Sequence, residues 1–250
     1  MSLLTTKNLV KKFDAVRAVN NLSLEFSAGE ITSIIGPNGS GKSTLVNLLT
    51  GILPLDGGEV VIAGSTKLTR LSAPEVATYG LTRTFQDVRL FEQMTALDNI
   101  LVVLTDRPVF EAVFEKHNNL HLARAEEVLR RVNLWEKRGE LAVNLSYGQR
   151  KLLEIARVLA MSHSGVGDIS IFLFDEPFAG LFPEMIKIVT SVLQELKQAG
   201  KVVILIEHNM DLIRQLSDRV IVLDSGERLA EGKPEQVLAQ PEVVEAYLGE

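Results

Sequence analysis

The sequence predicts an α/β fold: a parallel-sheet core built around a phosphate loop, with an antiparallel β portion at the N-terminus and a helical subdomain inserted at about residues 88–162. Three observations predict it. The stretch Gly36-Pro37-Asn38-Gly39-Ser40-Gly41-Lys42-Ser43 fits the pattern G-x-x-x-x-G-K-[ST] without a mismatch. It lies between an apolar, β-branched run at 30–35 and an amphipathic run at 44–50 that stops at Gly51. Two further apolar runs, 169–174 and 201–206, end abruptly in charged residues, as buried strands do where they reach a ligand crevice. From Thr95 to about Leu159 the periodicity becomes helical and strand signals nearly vanish.

With 250 residues the chain is long enough for one large core domain with a smaller insertion. The net charge of −6 provides no sequence-wide basic field, which disfavours broad binding to nucleic acid. There is no cysteine, so disulfides and thiolate metal sites are excluded. The first residues lack a basic stretch followed by an apolar core, and no apolar run approaches the roughly 18 residues of a membrane span. A cytoplasmic protein is therefore expected.

Taken in order, residues 3–10 and 22–26 alternate apolar and polar side chains and read as antiparallel strands, with Ser27-Ala28-Gly29 as a turn. Phe13 lies between them beside Asp14, where its spacing favours a small core anchor over a platform for an adenine ring. Asp56-Gly57-Gly58 is a turn, 59–63 a strand and 73–79 a short helix. The run 81–86 reads as a strand that delivers Gln86 to the carboxyl edge of the sheet, where open α/β sheets bind ligands. The helical stretch carries Leu97, Ile100, Leu101 and Leu104, then Leu122, Val128, Leu129 and Val132, with Trp135 as core filler. A polar turn at 144–149 leads into an amphipathic helix over 150–160, with Ser146 as its N-cap and a second anion-binding helix N-terminus as the functional reading. Residues 162–168 read as a small flexible loop. Pro183 is suited to opening a helix over 184–198, and another helix runs from Asn209 to about Leu216. The tail reads as strands 219–224 and 227–230 joined at Ser225-Gly226, then helices 233–239 and 241–248.

A strand, a glycine-rich turn and a helix N-terminus bring backbone N–H groups and the positive end of a helix dipole to one point, which suits the phosphates of a nucleoside triphosphate. Lys42 adds a full charge for the β- and γ-phosphates, and the Ser43 hydroxyl is placed to ligate Mg²⁺. Asp175 and Glu176 follow a buried strand, an arrangement that is costly unless a cation compensates, and Mg²⁺ is the expected one. Alternation along the strand points the two carboxylates in different directions, so one serves the metal while the other reaches a water. His208 ends a strand parallel to the one carrying Asp175 and is expected to face the same crevice.

In this order the parts resemble the nucleotide-binding subunit of ATP-binding-cassette (ABC) transporters over nearly the whole chain. The motifs that agree are the phosphate loop, the Gln86 loop, the signature Leu145-Ser146-Tyr147-Gly148-Gln149, the strand ending in Asp175 with Glu176, and His208. The resemblance implies an ABC-type P-loop core that hydrolyses ATP with Mg²⁺. It implies that Gly36, Pro37, Asn38, Gly39, Ser40, Gly41, Lys42, Ser43 and Thr44 surround the phosphates, and that Ser43, Asp175 and Gln86 serve the metal. Glu176 orients and deprotonates the water, His208 stabilises the γ-phosphate, and Gln86 couples to membrane subunits. The resemblance also implies that Phe13 stacks on adenine, reversing the reading from spacing, and that Ser146, Gly148 and Gln149 grip the γ-phosphate held by the opposite subunit.

The sequence is most similar to the ATPase subunits of branched-chain amino-acid importers, through Arg83-Thr-Phe-Gln-Asp-Val-Arg-Leu-Phe91, the tyrosine form of the signature followed by Arg150-Lys-Leu-Leu-Glu-Ile-Ala-Arg157, and the C-terminal segment from Ala230 to Gly249. The implied partners are two transmembrane permease subunits, a second ABC ATPase subunit or an identical chain, and indirectly an extracytoplasmic substrate-binding protein. The implied location is the cytoplasmic face of the inner membrane. Other readings are the ATPase of a urea or amide importer or of a lipid exporter, or a soluble ABC ATPase without a membrane partner. The soluble relatives usually carry two cassettes in one chain or a long coiled-coil insert, and a non-catalytic nucleotide-binding regulator fits poorly with Glu176 and His208 both present. Two departures stand out. Phe182 replaces the Asp or Asn that usually ends the turn after the catalytic strand, which favours pairing with a related second cassette over self-pairing; and the loop at 162–168 is longer than the usual connection.

Overall fold

Two long strands, β1 (Ser2–Phe13) and β2 (Val16–Ser27), open the chain as an antiparallel hairpin that pairs Phe13 with Val16 across a turn at Asp14. β3 (Glu30–Ile35) leads through the phosphate loop to α1 (Lys42–Leu49). β4 (Gly57–Ile62) and β5 (Thr66–Leu68) return to the hairpin and complete an antiparallel sheet of order β2-β1-β4-β5. A 3₁₀ turn, Val76–Tyr79, precedes β6 (Leu81–Arg83). Then come the helices α2 (Ala96–Leu104), α3 (Asn119–Arg131) and α4 (Tyr147–Met161). The rest is β7 (Ile171–Asp175), α5 (Pro183–Gln198), β8 (Val202–Ile206), α6 (Met210–Leu216), β9 (Arg219–Asp224), β10 (Glu227–Gly232), α7 (Pro234–Val237) and α8 (Pro241–Leu248). This computed structural model describes residues 2–64, 66–70, 72–73, 75–104, 119–161 and 169–248; the loop expected at 162–168 lies outside them.

The second sheet has the order β10-β9-β3-β8-β7-β6, parallel throughout except for the β9–β10 hairpin at its edge. Its strands obey the period of two. Ile171 and Leu173 of β7, with Val202, Ile204 and Ile206 of β8, face α1 and the antiparallel sheet. Phe172, Phe174, Val203 and Leu205 face the opposite way, onto α2, α3, α4 and α5. With both faces covered, β7 and β8 are buried at every position, which is why they read as unbroken apolar runs.

At eight residues α1 is too short to persist in isolation. It is held by Leu45, Val46, Leu48 and Leu49, all fully buried between the two sheets, each burial being worth about 1.5–3 kcal/mol. Among the described residues no helix is long and apolar enough to cross a membrane.

Several boundaries differ from expectation. The strand expected over 81–86 pairs only through Arg83, so Gln86 sits three residues past its end. α4 starts at Tyr147 rather than Arg150, which puts Gly148 and Gln149 in its first turn. The helix expected at 233–239 is a single turn.

Candidate functional site

The phosphate loop is shaped by contacts that only glycine tolerates. Gly36 follows β3 with φ 150°, and a Cβ there would lie 2.1 Å from the Leu223 carbonyl oxygen on β9. Gly41 precedes α1 with φ 102°, and a Cβ there would lie 2.4 Å from the Ala18 carbonyl oxygen on β2. The loop is thus pressed between both sheets and opens into a cleft lined by Phe13, Asn38, Gly39, Ser40, Gly41, Lys42, Ser43, Thr44, Gln86, Asp175, Glu176 and His208. The buried Lys42 amine bends back over the loop, donating to the carbonyls of Gly36 at 2.6 Å and Pro37 at 2.8 Å and to Ser40 Oγ at 3.3 Å. Phe13 corrects the spacing argument: it is 44 % exposed at the mouth of the cleft, not a core anchor. The hairpin turn at Asp14 carries it past the packed part of the antiparallel sheet.

Opposite the loop stand the two carboxylates, and the cation that compensates Asp175 within the protein is one the sequence reading missed. Arg83 Nη2 donates to Asp175 Oδ2 at 3.1 Å, with both side chains about nine-tenths buried. The same guanidinium reaches Asn47 Oδ1 at 2.9 Å and Thr50 Oγ1 at 3.1 Å through Nη1, and the Thr84 carbonyl at 3.1 Å through Nε. Burial pushes the Asp175 carboxyl up, against the pull of Arg83. Its backbone N–H donates to Thr84 Oγ1 at 3.1 Å.

Glu176 points elsewhere because its backbone turns left-handed, with φ 48°; simple strand alternation does not account for its direction. Its Oε1 meets His208 Nε2 at 3.2 Å and Gln86 Nε2 at 3.4 Å, so two residues from separate segments converge on one oxygen of a third. The turn that presents His208 is organised by Glu207, whose Oε2 accepts the backbone N–H of His208 at 2.9 Å and of Asn209 at 3.2 Å.

The Gln86 loop is fixed from the side of α4. The guanidinium groups of Arg83 and Arg89 lie over the Phe85 ring, 4.6 and 4.1 Å from its centre, and the Phe85 N–H donates to Glu154 Oε1 at 3.1 Å. Burial pushes the Glu154 carboxyl from an ordinary 4.5 to about 7, with hydrogen bonds from the backbone at Phe85 and Arg89 and the charges of Lys151 and Arg157 opposing it. Between those two values the folded protein holds a proton that the unfolded chain has lost. Stability therefore falls as pH rises from about 4.5 to about 7, by about 3 kcal/mol in all. Glu154→Gln, which keeps an acceptor for Phe85 but does not titrate, is expected to remove this slope. Urea midpoints of the two proteins at pH 5 and pH 8 measure it, and parallel pH dependence would refute it.

The signature lies apart from the cleft. Ser146 and Gln149 form a reciprocal cap at the start of α4, Ser146 Oγ accepting the Gln149 N–H at 3.3 Å and Gln149 Oε1 accepting the Ser146 N–H at 3.0 Å. Gly148 packs against Met185, where a Cβ would lie 2.5 Å from the sulfur, and the Tyr147 ring covers Gly180. Ser146, Gly148 and Gln149 are not among the residues lining the phosphate-loop cleft. Phe182 is the N-cap of α5, offers no side-chain cap and is 70 % exposed.

With this geometry in place, the sequence matches the ABC transporter family over residues 19–179. The chain belongs to that family. Residues 227–250 also match the family of branched-chain amino acid ATP-binding cassette transporters. The cassette is 38 % identical to the high-affinity branched-chain amino acid transport ATP-binding protein LivG of Escherichia coli K12, over 99 % of this chain and 98 % of the relative. It is 36 % identical to the corresponding protein BraF of Pseudomonas aeruginosa over the same shares. Among solved structures it resembles a nucleotide-free ATP-binding cassette from an ABC transporter, with TM-score 0.86 and 33 % identity over the whole of both chains. A cassette in its ADP conformation superposes with TM-score 0.85 at 34 % identity, also over the whole of both chains.

Among the described residues of the cassette no cluster of three or more His, Asp or Glu could hold a metal. Mg²⁺ does not need one, since it takes one or two protein oxygens and completes its shell with phosphate oxygens and water. The Ser43 hydroxyl and the Asp175 carboxylate, both lining the cleft beside Lys42, fit that requirement.

Proposed function

We propose that the cassette hydrolyses ATP to drive a membrane importer of branched-chain amino acids. The observation that carries the catalytic half is the convergence of His208 and Gln86 on Glu176 Oε1 at the wall of the phosphate-loop cleft. Phe13 stacks on adenine; the loop amides, Lys42 and Thr44 hold the phosphates; Ser43, Asp175 and Gln86 serve Mg²⁺. When bound, Mg²⁺ neutralises charge on the phosphates. Glu176 takes the proton of the attacking water, and His208 both orients Glu176 and meets the γ-phosphate. Phosphoryl transfer is mostly positioning and charge stabilisation, so a site divided between two subunits stays inactive until they close.

The division is supported by Ser146, Gly148 and Gln149 standing outside the cleft of their own chain. They complete the site of a neighbour, and residues 88–162 act as the subdomain that carries them. Phe182 lies on the same surface, in a groove with Gln149, Leu152 and Met185, and presents an apolar ring where a polar group would serve an identical partner. We therefore take the partner to be a second, related cassette, the pair sitting on two permeases at the cytoplasmic face of the inner membrane. The C-terminal match and the relatives' names support the cargo.

Co-expression with two permeases and a second cassette of the branched-chain amino acid type, followed by reconstitution in vesicles, tests the reading. The expected result is ATP-driven uptake of leucine, isoleucine or valine by a complex holding one copy of this chain. Uptake of urea or acetamide instead would overturn the cargo, and two copies per complex would overturn the pairing.

A further inference from the structure

Lys151, which the proposed reaction does not use, is the most deeply buried charged residue of α4: it is 2 % exposed, and burial pulls its amine down from the ordinary lysine range. Its Nζ donates to the backbone carbonyl of Glu176 at 2.5 Å. The same carbonyl accepts the Ala179 N–H at 3.3 Å, and the Glu176 N–H donates to the Ile206 carbonyl at 3.0 Å. Glu176 is thus pinned at both backbone groups in a left-handed conformation, φ 48°, that a non-glycine residue holds only when its surroundings insist on it. Of the three restraints, two come from the core sheet and its own turn, and the third comes from a helix whose first turn is the signature.

We propose that Lys151 is a positioning residue: it aims the Glu176 carboxylate and makes that aim depend on how the signature helix of the same subunit is seated. The proposal rests on Glu176 being the base. When α4 is in place, the amine holds the carbonyl and the side chain meets His208 and Gln86. A shift of α4 releases one of the three backbone restraints, leaving the carbonyl to the long Ala179 bond alone, and lets the carboxylate swing. The signature therefore acts on both sites, completing the neighbour's and tuning its own.

Lys151→Met removes the donor and keeps the length. Measured by single-turnover hydrolysis of labelled ATP on the chain assembled with its partner cassette, it is expected to lower the rate about ten- to a hundredfold, the scale of a misplacement near one ångström, with ATP affinity unchanged. Lys151→Arg, which still reaches and donates, is expected to restore most of the rate. In a Glu176→Gln background Lys151→Met is expected to cost nothing further, because its whole effect passes through that carboxylate. Lys151→Gln, too short to reach, replaces the Met variant if that one does not fold, with thermal unfolding as the check. An unchanged rate in a folded variant, a loss of ATP affinity equal to the loss of rate, or an undiminished loss in the Glu176→Gln background would each overturn the proposal. Normal turnover by Glu176→Gln alone would instead overturn the assignment of the base.

Discussion

Glu176→Gln is expected to leave ATP binding intact while hydrolysis falls by about 10²–10⁴, the scale of losing a general base. The amide keeps the size of the carboxylate and an oxygen that can still accept from His208 and Gln86, which contact Oε1 at 3.2 and 3.4 Å. It cannot accept a proton from water. Nothing that holds the phosphates changes, since Lys42 and the loop are anchored on Gly36, Pro37 and Ser40 at the opposite wall of the cleft. The variant should therefore bind nucleotide, close with its partner and stay closed. Equilibrium binding of labelled ATP beside phosphate release measures both halves. Turnover within a fewfold of the parent would show that Glu176 is not the base, whatever its position.

How far the sequence revealed this site depends on whether the determining contact is local. The phosphate loop was legible because its glycines are forced by close approach to Leu223 and Ala18, leaving a spacing that no other residue type can mimic. β7 and β8 were legible because both of their faces are buried, which removes the polar alternation a one-sided strand would show. The Ser146 cap was legible as a cap, although the helix begins earlier than its apolar stripe because Gln149 closes the box from inside the first turn.

Residues whose partners lie far along the chain were not legible. Arg83 stands inside a run that reads only as a strand delivering Gln86, and its partner Asp175 is 92 residues away. Lys151 sits among charges that look like the wet face of α4, yet it is buried against a carbonyl 25 residues on. Phe13 failed in the other direction. Its alternation matches the inward-facing set of β1, but the strand ends there, and an aromatic past the last packed layer has nothing beneath it to cover. For Arg83 one signal was available: two carboxylates behind a buried strand require a cation, and Mg²⁺ is not the only cation that serves.

Arg83→Met is accordingly expected to destabilise the fold by about 3–5 kcal/mol, the range for removing one partner of a buried ion pair. The methionine fills much of the space, so the loss is electrostatic: Asp175 loses its counter-charge with its side chain only 9 % exposed, and Asn47 on α1 and Thr50 just past its end lose a donor. Lys is no substitute, because one ammonium cannot span acceptors on α1, β7 and the Thr84 carbonyl that the planar guanidinium reaches with three nitrogens. The discriminating comparison is the double variant Arg83→Met with Asp175→Asn. Removing both charges leaves no uncompensated ion, so it should recover a large part of the stability that Arg83→Met loses, even though it lacks more native groups. Urea unfolding of the parent, both single variants and the double variant closes the cycle. Additive losses would mean that water already solvates Asp175, and Arg83 would then be a brace for α1 and the Gln86 loop rather than the counter-charge of the carboxylate. A large favourable coupling would mean that the cleft carries its own cation on Asp175 Oδ2.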